Sequence, residues 1–244
     1  MNVPTDFPAV LLVGGKGTRL RPVLPSTPKP LAPIGDRSFL ELLVRQLQCQ
    51  QVRRLVMCTG FLAGEIEKQF QDGSAFGVAI EYAREQRPMG TGGAVKLIRA
   101  RMEGNSSFLV MNGDSFLQMD ISKLLQFHRA HAGIATIAVR WVPDASRYGT
   151  VKVDGAGRIA GFSEKGGKME PGLINAGVYI FSPAIFDRIP QGEASLEREV
   201  FPNILDSGVY AMEHGGMFID IGVPEDYARA QAARRELIEA ACRR

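Results

Sequence analysis

The chain has 244 residues, enough to bury a substantial core, and ~150 residues per domain allows one domain or two. Hydrophobic residues make up 45% and charged residues 23%, ordinary values that exclude collagen, coiled coil and wholesale disorder. The net charge of +3, with no long block of one sign, excludes a general nucleic-acid binder.

The N-terminal residues 1–6 have no basic region before an apolar stretch, so no secretion signal is expected. No apolar run approaches the ~18 residues of a membrane span. Residues 9–13 then form a short apolar run of the kind found in buried parallel strands. It ends in Gly14-Gly15-Lys16-Gly17-Thr18-Arg19, and a proline-marked loop follows. Ser38 and Glu41 make a capping box, and Leu40, Leu43, Val44 and Leu47 recur at helical spacing. Residues 54–58 read as a strand, 62–70 as a helix, 79–83 as a strand and 91–102 as a helix. Residues 108–111 are a buried strand that stops at Asn112-Gly113-Asp114; 121–131 is a helix and 134–139 a strand. This alternation predicts a mostly parallel sheet with helices on both faces. Beyond it, Asp154-Gly155 turns a hairpin between 150–153 and 158–162, and 174–181 is a strand. A helix starts at Ser195, residues 209–213 and 217–221 pair around Gly215-Gly216, and a helix runs from Pro224 to the end. The expected fold is a Rossmann-like three-layer α/β/α sandwich with a mostly parallel mixed sheet and an elaborated C-terminal half. No linker divides it, so residues 1–244 are expected to form one domain. The three cysteines, Cys49, Cys58 and Cys242, are scattered and odd in number. They suggest neither a metal spacing nor a disulfide framework, and point to a reducing cytoplasm.

The glycine loop carries the first chemical signal. Glycines after a strand free backbone N–H groups for phosphate, and Lys16, Arg19, Arg21 and Lys29 cluster beside them. Leu20 breaks the dinucleotide fingerprint and Gly17 breaks the Walker motif. Asp114 ends a buried strand, where open α/β sheets bind ligands, and Asp220 has a similar apolar setting. On residue type alone a hydrogen-bonded turn aspartate is the commoner reading of each, and sequence alone does not bring the two together. No Ser/His/Asp or Cys/His arrangement is present, and the three histidines read as structural or exposed.

Gly14-Gly15-Lys16-Gly17-Thr18-Arg19-Leu20-Arg21-Pro22, followed by Thr27-Pro28-Lys29-Pro30-Leu31, resembles the signature of sugar-1-phosphate nucleotidylyltransferases. Gly90-Thr91-Gly92-Gly93, Gly113-Asp114, Tyr148-Gly149, Glu164-Lys165, Asn175-Ala176-Gly177 and Asp220-Ile221-Gly222 match in order. The resemblance implies a nucleotide-binding part of about 7–140 and a sugar-phosphate-binding part of about 141–244. It implies in-line displacement at the α-phosphorus of a nucleoside triphosphate by a sugar 1-phosphate, with Asp114 and Asp220 on Mg2+. Arg19 and Lys29 would hold triphosphate oxygens and Lys165 the sugar phosphate. Gly14, Gly15, Gly17, Thr18, Glu85, Gly90 and Thr91 would line the nucleotide site, and Gly149, Glu164 and Asn175 the sugar pocket. A homodimer is a further family-based expectation, and a catalytically silent regulatory subunit is the contrasting reading.

Thymidylyl- and uridylyl-transferring relatives commonly carry Gln three residues before the Pro of the Pro-x-Gly turn, where this chain has Glu85. An ionised carboxylate only accepts hydrogen bonds, and guanine offers adjacent donors where uracil and thymine offer one between two acceptors. Glu85 therefore argues for GTP, with Gln86 as the other base-contacting option. The motifs around Tyr148-Gly149-Thr150-Val151, Ser195-Leu196-Glu197 and Phe218-Ile219-Asp220-Ile221-Gly222-Val223 most resemble guanylyltransferases for D-glycero-D-manno-heptose 1-phosphate. Mannose 1-phosphate with GTP, or uridylyl or cytidylyl transfer, is the runner-up.

Overall fold

Strand residues alternate between two faces of a sheet, so a strand buried on both sides must be apolar at nearly every position. The computed structural model describes residues 3–163 and 169–242. In chain order its elements are β1 (Pro8–Leu12), β2 (Pro33–Ile34), β3 (Arg37–Ser38), α1 (Phe39–Cys49), β4 (Arg54–Thr59), α2 (Ala63–Phe70) and β5 (Ala79–Arg84). Next come α3 (Gly90–Leu97), β6 (Phe108–Asn112), β7 (Ser115–Leu117), α4 (Ile121–His131), β8 (Ala135–Val142), β9 (Thr150–Val153) and β10 (Ile159–Ser163). The chain closes with β11 (Gly172–Phe181), α5 (Ile185–Arg188), β12 (Val209–Glu213), β13 (Phe218–Asp220), α6 (Pro224–Ala232) and α7 (Arg234–Ala240).

The main sheet runs β10-β9-β11-β6-β1-β4-β5, with β8 and β12 attached through β11. Strands β6, β1, β4 and β5 are parallel, as the alternation predicts. The long strand β11 is antiparallel to β6 along one edge and to β8 along the other, and β12 adds parallel to β8. Leu11, Met57, Met111 and Val178 join one core with Phe39, Leu43 and Leu47 of α1, Leu124 of α4 and Leu237 of α7. Val10, Val56, Val110 and Tyr179 join the other with Val95 of α3, Phe186 of α5 and Phe201. This is the expected mixed, mostly parallel sheet between two helical layers. No helix among the described residues is long and apolar enough to cross a membrane.

Several local expectations need correction. Strands β12 and β13 do not pair with each other: β12 joins β8, and β13 pairs antiparallel with β7. A Cβ on Gly216 would collide with the Gln118 carbonyl, so glycine lets this segment lie against the end of β7, where the Gln118 N–H donates to the Met217 carbonyl at 2.8 Å. The segment after Ser195 forms a π-turn over Leu196–Val200 and a 3-10 helix over Phe201–Ser207 instead of an α-helix; Pro202 lacks the N–H that a regular helix would use. The last helix breaks at Ala233, and the one expected over 91–102 is α only to Leu97. The Ser38 cap is one-sided: its hydroxyl accepts the Glu41 N–H at 3.3 Å, while the Glu41 carboxylate turns to Arg45 at 2.7 Å.

Candidate functional site

A cleft of about 690 Å³ opens at the carboxyl ends of β1, β4, β5 and β6, where open α/β sheets bind ligands. Residues 12–19 form one wall, residues 85–91 another, and Lys29, Asn112, Gly113 and Asp114 the inner end. Gly17 is left-handed at φ +58, and a Cβ there would lie 2.9 Å from the Lys29 Cβ, so glycine lets the loop close on Lys29. A Cβ on Gly14 would meet Glu85 Oε1 at 2.5 Å, so that wall holds the Glu85 carboxylate directly against the loop backbone. Its Oε2 accepts the Met89 N–H at 3.0 Å. Burial holds the Glu85 pKa above the ordinary carboxylate value despite that bond. Among the clustered cations, Lys16, Arg19 and Lys29 line the cleft. Arg21 instead lies 5.2 Å from the Phe61 ring centroid, a cation–π contact.

Asp114 and Asp220 do converge. Strands β7 and β13 set Ser115 opposite Asp220, and the Ile221 N–H donates to the Asp114 carbonyl at 2.9 Å. Lys29 Nζ donates to Asp114 Oδ2 at 2.5 Å, and the Gly222 N–H to Asp220 Oδ1 at 2.5 Å. Surrounding protein opposes charge on Asp114, but the Lys29 ammonium, a Ser115 hydrogen bond and the Arg19 charge hold its pKa below the ordinary value. Asp220 is pushed up to about 6, first by desolvation and then by the charge on Asp114. Two neighbouring carboxylates offer the hard oxygen donors that a divalent cation takes. Among the described residues no group of three or more His, Cys, Asp or Glu could hold a metal alone. Magnesium takes one or two protein carboxylates and completes its shell with water and phosphate oxygens, and Asp114 with Asp220 make a donor set of that size.

Gly90 and Thr91 line the cleft, and their segment is also a docking surface. The Gly92 N–H donates to the Ala194 carbonyl at 2.8 Å, and the Ala194 N–H to the Met89 carbonyl at 2.9 Å. The Thr91 hydroxyl donates to Glu197 Oε2 at 2.8 Å and accepts the Leu196 N–H at 2.8 Å. Glu197 also accepts from Ser195 and from the Tyr179 hydroxyl. Asn175 sits at a bulge in β11: its Oδ1 accepts the Gly177 N–H at 2.9 Å and its Nδ2 donates to the Tyr179 hydroxyl at 3.1 Å. Gly149 leads into β9 with its Cα face toward the Ser163 carbonyl. Its neighbour Tyr148 feels the Asp220 charge, which adds to desolvation in raising its pKa, and packs edge-on to Phe218. Gly149 and Asn175 are thus absent from the cleft wall formed by the glycine loop. Glu164 and Lys165 lie outside the described residues.

The glycine loop, Arg19, Lys29, Glu85, Gly90, Thr91 and Asp114 therefore share one cleft, and Asp220 adjoins Asp114 through the β7–β13 pairing without lining it. Sequence reasoning did not single out Asn112, which lines the cleft, or the buried Tyr179, which supports Asn175 and Glu197. Tyr179 reads as one more apolar residue of a buried strand, and only its hydroxyl, bonded by Asn175 and Glu197, marks it as more.

A mannose-1-phosphate guanylyltransferase from Mycobacterium tuberculosis is 39% identical over 92% of this chain and 63% of its own. A mannose-1-phosphate guanylyltransferase catalytic subunit beta from Drosophila pseudoobscura pseudoobscura is 36% identical over 90% of this chain and 60% of its own. The chain thus spans less than two thirds of these relatives. The crystal structure of HddC from Yersinia pseudotuberculosis superposes with a TM-score of 0.83 and 32% identity, covering 93% of this chain and 98% of that one. The same protein has been solved in complex with GMP-PN, with a TM-score of 0.83. The nucleotidyl transferase family matches residues 8–236, and this chain belongs to it.

Proposed function

We propose that this chain is a sugar-1-phosphate guanylyltransferase, which joins GTP to a sugar 1-phosphate and releases pyrophosphate. The observation that carries the reading is the convergence of Asp114, Asp220 and Lys29 beside a cleft that Glu85 also lines. Attack by the sugar phosphate oxygen on the α-phosphorus loads charge onto phosphoryl oxygens, so catalysis rests on positioning and cations. Arg19 and Lys29 hold triphosphate oxygens, and the loop at Gly14, Gly15, Gly17 and Thr18 offers backbone donors. Asp114 and Asp220 hold Mg2+, which when bound supplies positive charge to those oxygens. Lys165 neutralises the second anion, and Glu164, Asn175 and Gly149 shape the sugar side. Residues of about 7–140 bind the nucleotide and about 141–244 the sugar phosphate, within one domain.

Glu85 supports guanine. Its desolvated carboxylate has one N–H donor, from Met89, and gains from the ring N–H and exocyclic amine of guanine. The sugar has two supported readings. The motif pattern favours D-glycero-D-manno-heptose 1-phosphate, and the relatives above carry the name mannose-1-phosphate guanylyltransferase.

The test is pyrophosphate release with Mg2+, using GTP, UTP, CTP, ATP and dTTP each against heptose 1-phosphate and mannose 1-phosphate. Turnover with GTP alone is expected, and the faster sugar decides between the two. No turnover with any pair would overturn the enzymatic reading in favour of a regulatory one. In Glu85→Gln the preference for GTP over UTP should fall by about 10–100-fold, the scale of one mismatched buried hydrogen-bonding group. An unchanged ratio would remove Glu85 from base selection.

A further inference from the structure

Cys49 ends α1 and Cys242 follows α7, 193 positions along the chain, yet their sulfurs are 2.8 Å apart. Cys242 is exposed and Cys49 partly so, which makes the pair reachable from solvent. Cys58 is buried, and desolvation followed by the Glu85 charge pushes its thiol up to about 12, so it does not compete. Two cysteines that lie far apart in sequence thus meet in the fold.

We propose that Cys49 and Cys242 form a reversible dithiol that a low-molecular-weight disulfide oxidises to an intramolecular disulfide. The exposed Cys242 thiolate attacks one sulfur of the small disulfide, forming a mixed disulfide and expelling one thiolate. The Cys49 thiolate then attacks the Cys242 sulfur, closing the protein disulfide and expelling the second thiolate. Two protein thiols are oxidised, one small disulfide is reduced to two thiols, and the two protons go to those products. No other oxidant is needed.

The bond would clasp two elements that support the inner end of the cleft. Helix α1 holds the segment after β7: Gln46 Nε2 donates to the Leu117 carbonyl, Gln50 Nε2 donates to the Met119 carbonyl, and Gln50 Oε1 accepts the Ile121 N–H. Helix α6 follows β13 and its Asp220 directly, and Tyr227 and Gln231 both donate to the Pro33 carbonyl just before α1. Tying Cys242 to Cys49 fixes the far end of that C-terminal arm onto the helix that supports β7.

The full-length protein is incubated with oxidised glutathione at neutral pH, then alkylated, weighed intact and peptide-mapped under non-reducing conditions. The expected product is a monomer lighter by two hydrogens, carrying no glutathione, with the Cys49 and Cys242 peptides linked and Cys58 still a thiol. Its unfolding temperature should rise and return on adding dithiothreitol, because the link constrains the unfolded chain over a long loop. Cys49→Ser should instead hold glutathione on Cys242 and show no such rise. Stable mixed disulfides on the native sequence, cross-linked dimers, or no reaction at either cysteine would overturn the dithiol. A link without a rise in unfolding temperature would overturn the clasp.

Discussion

Asp114 carries its charge beside Lys29, at a point where the protein is open to the cleft on one side. The Lys29 ammonium holds the Asp114 carboxyl below its ordinary value, and the exposed side of the pair is the Asp114 side. Asp114→Asn removes the charge while keeping the shape. It should lower turnover by about 10²–10³-fold, the scale measured for losing one electrostatic contact to a transition state. Thermal unfolding run beside pyrophosphate release should show the fold intact, and near-normal turnover would remove Asp114 from the machinery. Much of this site could be read from the sequence because the loop after β1 is local, and glycines and cations at fixed spacing need no tertiary knowledge. The meeting of Asp114 and Asp220 could not, since it depends on the pairing of β7 with β13. Arg21 illustrates the converse. It belongs to the right cluster in sequence, but its planar cation covers Phe61.

At the scale of elements, β11 does the most positioning. Its bulge between Asn175 and Val178 turns Asn175 toward Tyr179 and brings Gly177 against Asn112. Gly177 has φ +76, and a Cβ there would lie 2.8 Å from Asn112 Nδ2. Gly177→Ala combines a disfavoured backbone with a close contact, so it should cost about 1–3 kcal/mol in urea unfolding. A loss well below that range would show that the bulge relaxes at will. The periodic signals for β1, β4, β6, α1 and α4 were strong enough to place those elements. The errors lie where tertiary partners override local pattern. Residues 209–221 carry a good hairpin signal, yet each strand finds a different neighbour elsewhere. The turns after Ser195 are shaped by Ala194 docking on the glycines of α3, which no helical periodicity encodes.

For the molecule as a whole, stability is linked to a group far from the chemistry. His128 is buried in α4 and shares a 2.9 Å hydrogen bond with Thr136. Burial, and then the Arg129 charge, lowers its pKa from 6.5 to about 4. The unfolded chain thus takes up a proton below pH 6.5 while the folded protein does not until about pH 4. Its contribution is complete above pH 6.5 and is lost as the pH falls toward 4, at most about 3 kcal/mol. Urea midpoints of the native protein and His128→Gln across that window should differ in slope, with the native protein the steeper. Parallel curves would mean that His128 titrates alike folded and unfolded.

Strand β6 also has a consequence in time. It is shielded on one edge by β1, and on the other only by β11, whose residues come some seventy positions later. A ribosome therefore extrudes Phe108, Leu109, Val110 and Met111 well before their second neighbour exists. Until β11 arrives, the nascent chain presents an apolar open edge of the kind that recruits foreign strands. A fragment stopped near residue 140 would keep that edge for good. It should sediment as aggregates instead of folding as a free-standing unit, so the N- and C-terminal parts share a fate that a cut between them cannot divide.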